Sequence, residues 1–184
     1  MTDPLGQALL IRARNAISGE FSRQSIPEPD AVELAAPGAV FVTLTQEGRL
    51  RGCIGSLEAW RLLDADVRAN ARAAAFRDPR FPPLTVEELQ RTRVEVSLLT
   101  PAVPMTFTGE EDALRQLRPG IDGVILEYGG HRGTFLPQVW ESLPDRHAFF
   151  AYLKQKAGLP ADFWAPDVKL FRYEVQKWKE AENS

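Results

Sequence analysis

The chain alternates between two periods of apolar and polar positions. Leu5, Leu9, Ala13 and Ile17 recur every four residues, which predicts a short amphipathic helix over Pro4–Ile17 with Gly19 as its stop. Ser22–Gly38 contains Pro27, Pro29 and Pro37 and is expected to be loop, because proline removes a donor and fixes φ. The period then becomes two. Val40, Val42 and Leu44 alternate with Phe41, Thr43 and Thr45, Gln46-Glu47-Gly48 supplies a turn, and Arg49–Ile54 returns. Pairing Thr45 with Arg49 places Val40, Val42, Leu44, Leu50 and Ile54, with Gly52, on a core face. Phe41, Thr43, Thr45, Arg49, Arg51 and Cys53 then share the other face.

Leu62–Phe76 reads as a helix whose inner stripe is Leu63, Val67, Ala71 and Ala74 or Ala75, with Asp64 in its first turn. Arg77–Pro83 is irregular, since its prolines forbid a continuing helix. Thr85-Val86-Glu87-Glu88 has the capping-box form and opens a short helix. Arg93–Leu99 alternates as a strand, and Pro101–Thr108 is a connection. Thr108-Gly109-Glu110-Glu111 is a second capping box, opening a helix to about Leu117. Gly123–Tyr128, Gly129-Gly130 and His131–Phe135 read as strand, turn and strand. Pro137 starts the next helix, and Asp145 is expected to cap Arg146–Ala157, which Gly158-Leu159-Pro160 stops. Val168–Trp178 is expected to be one final strand. Mixed helices and hairpins define an α+β fold with a mainly antiparallel sheet flanked by helices.

Composition narrows the function classes. The 184 residues suit one domain, 1–184, and can bury a core without a disulfide or metal. The single cysteine, Cys53, excludes an internal disulfide and a multi-cysteine metal site. No uncharged stretch reaches the roughly 20 apolar residues of a membrane-spanning helix, and Met1–Pro4 lacks the opening of a secretion signal, so a cytoplasmic location is expected. A net charge of −3 argues against broad nucleic-acid binding, though not against a local patch. No cofactor is identified and no metal site is expected, because the two histidines lack ligand spacing.

Three blocks are candidates for chemistry. In Leu50-Arg51-Gly52-Cys53-Ile54-Gly55, Gly52 and Gly55 leave backbone uncovered for a ligand, and Arg51 is expected on the face of Cys53. A nearby cation favours thiolate, the reactive form, over thiol. The alternative is that Cys53 is a small buried residue. Arg77–Pro83 is a charged loop held by prolines, of the kind that lines sites, with Asp78, Arg80 and Phe81 as candidates. Its plainer reading is a rigid turn in which Asp78 accepts backbone N–H bonds and pairs with Arg80, while Phe81 plugs the core. In His131–Pro137, Arg132 and Thr134 share a strand face that suits an anion, with Gly133 leaving room and His131 able to titrate near neutrality. A polar strand edge is the alternative there.

Four blocks, Leu50–Gly55, Asp78–Pro83, Val96–Leu99 and Arg132–Pro137, resemble in order and spacing the AMMECR domain family, over roughly Leu5 to Val175. Prokaryotic members of that family carry the label AmmeMemoRadiSam system protein A. The resemblance implies a two-lobed fold with a smaller second lobe and a cleft between the lobes. It also implies a system of three gene products: this protein, a Memo-like protein and a radical-SAM protein. The family has no settled reaction. Arg51, Gly52, Cys53 and Gly55 fall on its first block, Arg80 and Phe81 on its second, and Arg132 and Thr134 on its fourth. Many relatives carry Glu where this chain has Gln138, so no general-acid role is carried over there. The expectation is an accessory protein that offers a reactive Cys53, activated by Arg51 and with Arg132 as anion anchor, to a radical-SAM partner acting on an RNA or small molecule. The alternative is a non-catalytic protein- or RNA-binding module in which Cys53 is structural.

Overall fold

The computed structural model describes residues 3–181, which divide into two units. The first comprises the residues up to Leu99 and those from Gln176 onward, and the second is Thr100–Val175. Each has its own four-stranded sheet, so the expected α+β class holds with two sheets rather than one.

In the first unit, α1 (Pro4–Gly19) begins at Pro4, and the Asp3 side chain accepts the Leu5 N–H at 3.0 Å. β1 (Ala39–Gln46) follows the predicted alternation, as does β3 (Arg93–Leu99) through Val96, whereas β2 (Arg49–Gly55) departs from it at Leu50 and Arg51; α2 (Leu63–Phe76) lies between β2 and β3 in sequence. With β8 (Val175–Lys179) the sheet order is β2-β1-β3-β8. α1 and α2 pack against this sheet and each other. The buried core joins Leu9, Ala13 and Ile17 of α1 to Leu63, Val67 and Ala71 of α2 and to Val40, Val42, Leu44, Val94 and Val96. The helical stripes are thus the ones the four-residue spacing marked.

One polar cluster lies within that core. Asp66, fully buried, accepts the Val40 N–H at 2.8 Å, the Ser56 hydroxyl at 2.6 Å and Arg61 Nε at 2.7 Å. Asn70 donates to Val40 O, Ser56 Oγ and Asp66. These bonds tie the first residues of α2 to the start of β1 and the residue after β2, and satisfy groups that burial would otherwise penalise.

In the second unit, β4 (Val103–Pro104), β5 (Gly123–Tyr128), β6 (His131–Phe135) and β7 (Lys169–Tyr173) form a sheet ordered β4-β7-β5-β6. α3 (Glu110–Gln116) and α4 (Arg146–Lys156) cover it. Trp140 stacks on Phe149 at 3.7 Å between ring centres and donates Nε1–H to Asp122 O. Asp145 caps α4 as expected, accepting the Ala148 N–H.

Three expectations are corrected. The final strand is two. β7 joins the second sheet and β8 the first, with Glu174 between them exchanging hydrogen bonds with Thr100. Unbroken alternation conceals this change of partner, because a period of two records faces and not neighbours. The N-cap of α3 is Gly109, one residue later than expected, and Asp112 accepts the Thr108 N–H. The β1–β2 turn has two residues, Glu47 and Gly48, with φ of 52° and 76°, followed by a bulge. Among the described residues, no helix is long and apolar enough to cross a membrane.

Candidate functional site

The bulge decides where the candidate residues point. Gln46 pairs with Arg49 and Thr45 with Leu50. Beyond the bulge Leu44 pairs with Gly52, Thr43 with Cys53 and Val42 with Ile54. Arg51 is therefore the extra residue. Leu50 leaves the expected core face and is 43% exposed. Arg51 also leaves its expected face, and its guanidinium meets Glu88, which Gln46 also reaches. Gln46 belongs to the row of β1 that holds Val42 and Leu44, whereas Cys53 belongs with Thr43. The expected sharing of one face by Arg51 and Cys53 is thus overturned by a single inserted residue.

Arg51 is buried and committed. Nε donates to Glu88 Oε2 at 2.7 Å, and Nη2 donates to Glu88 Oε1 and Pro82 O. Its Nη1 is buried without a hydrogen-bond partner among the described residues. The Glu88 carboxyl is held down to about 2, chiefly by its hydrogen bonds to Arg51, with Gln46 and the Thr85 N–H assisting against burial. The predicted Thr85–Glu88 capping box is present, so one glutamate both caps a turn and anchors Arg51.

Cys53 lies half-buried on the other row. Its sulfur is 3.3 Å from the Thr43 hydroxyl, and its N–H donates to Asp78 Oδ2 at 3.0 Å. Asp78, nearly buried, also accepts the Arg80 N–H and both Nε and Nη2 of Arg80, at 3.0, 3.0 and 2.7 Å. Arg80 holds the Asp78 carboxyl far below the usual range, aided by the Cys53 and Arg80 N–H groups. Nη2 of Arg80 further donates to Cys53 O at 3.4 Å, and its guanidinium lies 5.5 Å from the Phe81 ring centre. The Asp78–Arg80 turn is thus as the plainer reading drew it, with an addition: it clamps the cysteine backbone. Phe81 is only partly buried, with the Arg51 and Arg80 guanidinium groups 5.9 and 5.5 Å from its ring centre, and does not plug the core.

The two glycines have packing roles. A Cβ on Gly52 would lie 2.1 Å from the Ala74 carbonyl oxygen of α2, and one on Gly55 would enter the Phe41 ring at 2.2 Å. These positions admit α2 and Phe41, so the expected clearance for a ligand is already filled on both sides.

Arg132 and Thr134 belong to the second unit, where each has its own partners. Arg132 pairs with Glu127 across β5–β6, at 3.1 Å. Thr134 is buried and shares a hydrogen bond with the Tyr173 hydroxyl, which in turn donates to Phe135 O. A Cβ on Gly133 would lie 2.8 Å from the Ala157 backbone nitrogen, so that glycine admits the end of α4 and leaves no room for an anion. His131 Nδ1 faces Ala157 O, and His147 pairs with Glu111.

Thr43 lies on the face of Cys53 as the alternation predicts, and Glu95, which the sequence gives no partner, joins the same row. Thr43 pairs with Cys53 on one side and Glu95 on the other, so Cys53, Thr43 and Glu95 form one row across β2, β1 and β3. The signal was the hairpin register, which residue identity alone does not reveal.

Comparison with known proteins places these features in context. A family model described as AMMECR1 matches residues 10–178. A protein of Thermococcus gammatolerans is 40% identical over 194 residues, spanning 97% of this chain and 91% of its own. One from Methanothermobacter thermautotrophicus is 44% identical over 148 residues, spanning 77% and 74%. The crystal structure of an uncharacterized protein from Pyrococcus horikoshii superposes with a TM-score of 0.79 at 35% identity, covering 98% of this chain and 93% of that one.

Proposed function

The chain belongs to the AMMECR1 family, and on that premise we propose that it is a cytoplasmic accessory protein presenting Cys53 as a reactive thiol within a system that includes a Memo-like and a radical-SAM protein. The observation that carries the reading is the clamp at Cys53. A nearly buried Asp78 fixes both the Cys53 amide and the Arg80 guanidinium, and Arg80 Nη2 donates to Cys53 O, so a cation is held against the backbone of the half-buried cysteine. Cations near sulfur favour the nucleophilic thiolate. Arg80 takes the activating role that the sequence assigned to Arg51, whose charge is spent on Glu88.

The experiment replaces Cys53 with Ser and with Ala, confirms folding by circular dichroism, and measures binding to the Memo-like and radical-SAM proteins together with product formation by the reconstituted set. Retained binding and lost product support the reading. Full product formation by both variants overturns it.

A binding module with a structural cysteine is the second reading, favoured by one observation. The acidic and basic groups nearest Cys53 are already paired, and both flanking glycines serve packing. That reading requires both variants to keep partner binding and output. RNA contact through Arg51 is disfavoured in either case, because a buried guanidinium bound to glutamate cannot meet phosphate.

A further inference from the structure

Among the described residues, β2 pairs with β1 on one side and with no strand on the other. In an antiparallel ladder alternate residues turn both main-chain groups to the outer edge, where they form a template for another strand. Ser56 donates inward to Val40 O at 3.0 Å, so by alternation Ile54 and Gly52 face β1 and Cys53 faces out. Both outward groups of Cys53 are taken by side chains. Its N–H donates to Asp78 Oδ2 at 3.0 Å, and its carbonyl oxygen accepts Arg80 Nη2 at 3.4 Å. A carboxylate thus stands where the carbonyl of a neighbouring strand would lie, and a guanidinium where its N–H would lie. The two side chains also bond each other at 2.7 Å, which holds the pair in place.

The rest of this loop covers the edge without offering one of its own. Pro82 O accepts Arg51 Nη2 at 2.8 Å, and Pro79, Pro82 and Pro83 have no N–H to donate. Two other outermost strands are blunted from within. β4 is two residues long and contains Pro104, and β8 exposes Lys177 and Lys179. β2 has neither lysine nor proline, and its Gly52–Gly55 carries no charge. Its cover comes from outside the strand and is thin, since the Arg80 side chain is 55% exposed.

We propose that the outer edge of β2 is an interaction surface for a second copy of this chain, held shut by the Asp78–Arg80 turn. The occupant follows from symmetry. Cys53 presents one donor and one acceptor outward, and a two-fold-related Cys53 supplies the complement of each, so two antiparallel copies exchange both bonds. That register sets Gly52 against Ile54 and Arg51 against Gly55 of the other copy, so no two arginines meet. The inference uses only the main chain of Cys53 and does not rest on the reactivity of its thiol.

The test replaces Asp78 with Ala in the full chain, confirms folding by circular dichroism, and follows mass by sedimentation velocity over a range of concentrations. The native chain is expected to keep one mass, and Asp78→Ala to shift reversibly to twice that mass as concentration rises. Asp78→Asn keeps an acceptor for the Cys53 N–H but loses the charge that holds Arg80. It is expected to fall between the two, and it carries the test if the alanine variant does not fold. Phe149→Ala, a core substitution in the second unit, controls for destabilisation alone and is expected to keep the native mass. Diamide then reads the register. Hydrogen-bonded antiparallel partners hold their Cα atoms about 5.5 Å apart, within the roughly 4.4–6.8 Å that a disulfide spans. Cys53 is the only cysteine, so any disulfide joins two copies. Two thiols give up two protons and two electrons, and diamide is reduced to its hydrazine. Covalent dimer is expected from the Asp78 variants and not from the native chain. Folded Asp78 variants that stay at the native mass overturn the proposal. So does a doubled mass that diamide does not trap through Cys53, or a native chain trapped to the same extent as the variants.

Discussion

Replacing Gly52 with alanine tests whether the glycine beside Cys53 serves packing or ligand approach. The added methyl would sit 2.1 Å from the Ala74 carbonyl oxygen and 3.1 Å from its carbon. Carbon–oxygen contacts settle at about 3.3 Å, so β2 and α2 must separate by about 1 Å. Neither side can yield by a rotamer change, since both atoms in the clash are fixed to backbone. The surrounding α2 residues Ala71, Ala74 and Ala75 are buried and have no flexible ends to move aside. Overpacking typically costs about 1–3 kcal/mol, and a backbone-to-backbone clash belongs at the top of that range, about 3 kcal/mol. Urea unfolding followed by tryptophan fluorescence reads the loss. With a slope of about 2 kcal/mol/M the midpoint falls by about 1.5 M. Gly19→Ala is the matched control, because a Cβ there meets nothing within 4 Å. That substitution is expected to be neutral or to stabilise by up to about 1 kcal/mol. A Gly52→Ala loss below about 1 kcal/mol would refute the packing argument and restore the glycine as a ligand clearance.

Three further outcomes are expected. Glu88 has its folded value lowered from 4.5 to about 2, so its contribution is present above pH 4.5 and is lost as pH falls toward 2. Glu88→Gln therefore destabilises at neutral pH and flattens the acid limb of unfolding free energy against pH; parallel profiles for the two proteins contradict this. Asp66→Ala leaves the Val40 N–H, the Ser56 hydroxyl and Arg61 without their buried acceptor and is expected to cost about 3–5 kcal/mol, read by chemical denaturation. Phe149→Ala removes a ring stacked on Trp140 and edge-on to Phe135, and should cost about 3–5 kcal/mol with loss of the near-ultraviolet signal of Trp140. An unchanged spectrum would show that the stack is not maintained in solution.

The β1–β2 hairpin and the Asp78–Arg80 turn show what could be read from residues alone. Alternation in Ala39–Thr45 and the Leu63, Val67, Ala71 stripe were legible because burial of one face imposes a period on its own segment. The Asp78 turn and the Thr85–Glu88 box were legible because short-range hydrogen bonds depend on neighbours within three residues. Of the contacts around Cys53, the pairing of Asp78 with Arg80 was legible, and the bond from the Cys53 N–H to Asp78 was not. Arg51 was misplaced because the bulge shifts register by one residue, and one residue moves a side chain to the opposite face.

The sequence by itself determined the element types, most of their bounds, the α+β class and the cysteine around which the candidate site is built. These follow from periodicity, caps and prolines, which act within a few residues. The tertiary structure alone decided that β7 and β8 enter different sheets, that Gly52 and Gly55 admit a helix carbonyl and an aromatic ring, and that Arg80 rather than Arg51 stands beside Cys53. Each of those depends on groups distant in the chain, such as Ala74 against Gly52 or Glu88 against Arg51. Pairing between such groups is set by packing and charge in three dimensions, and leaves no period along the chain.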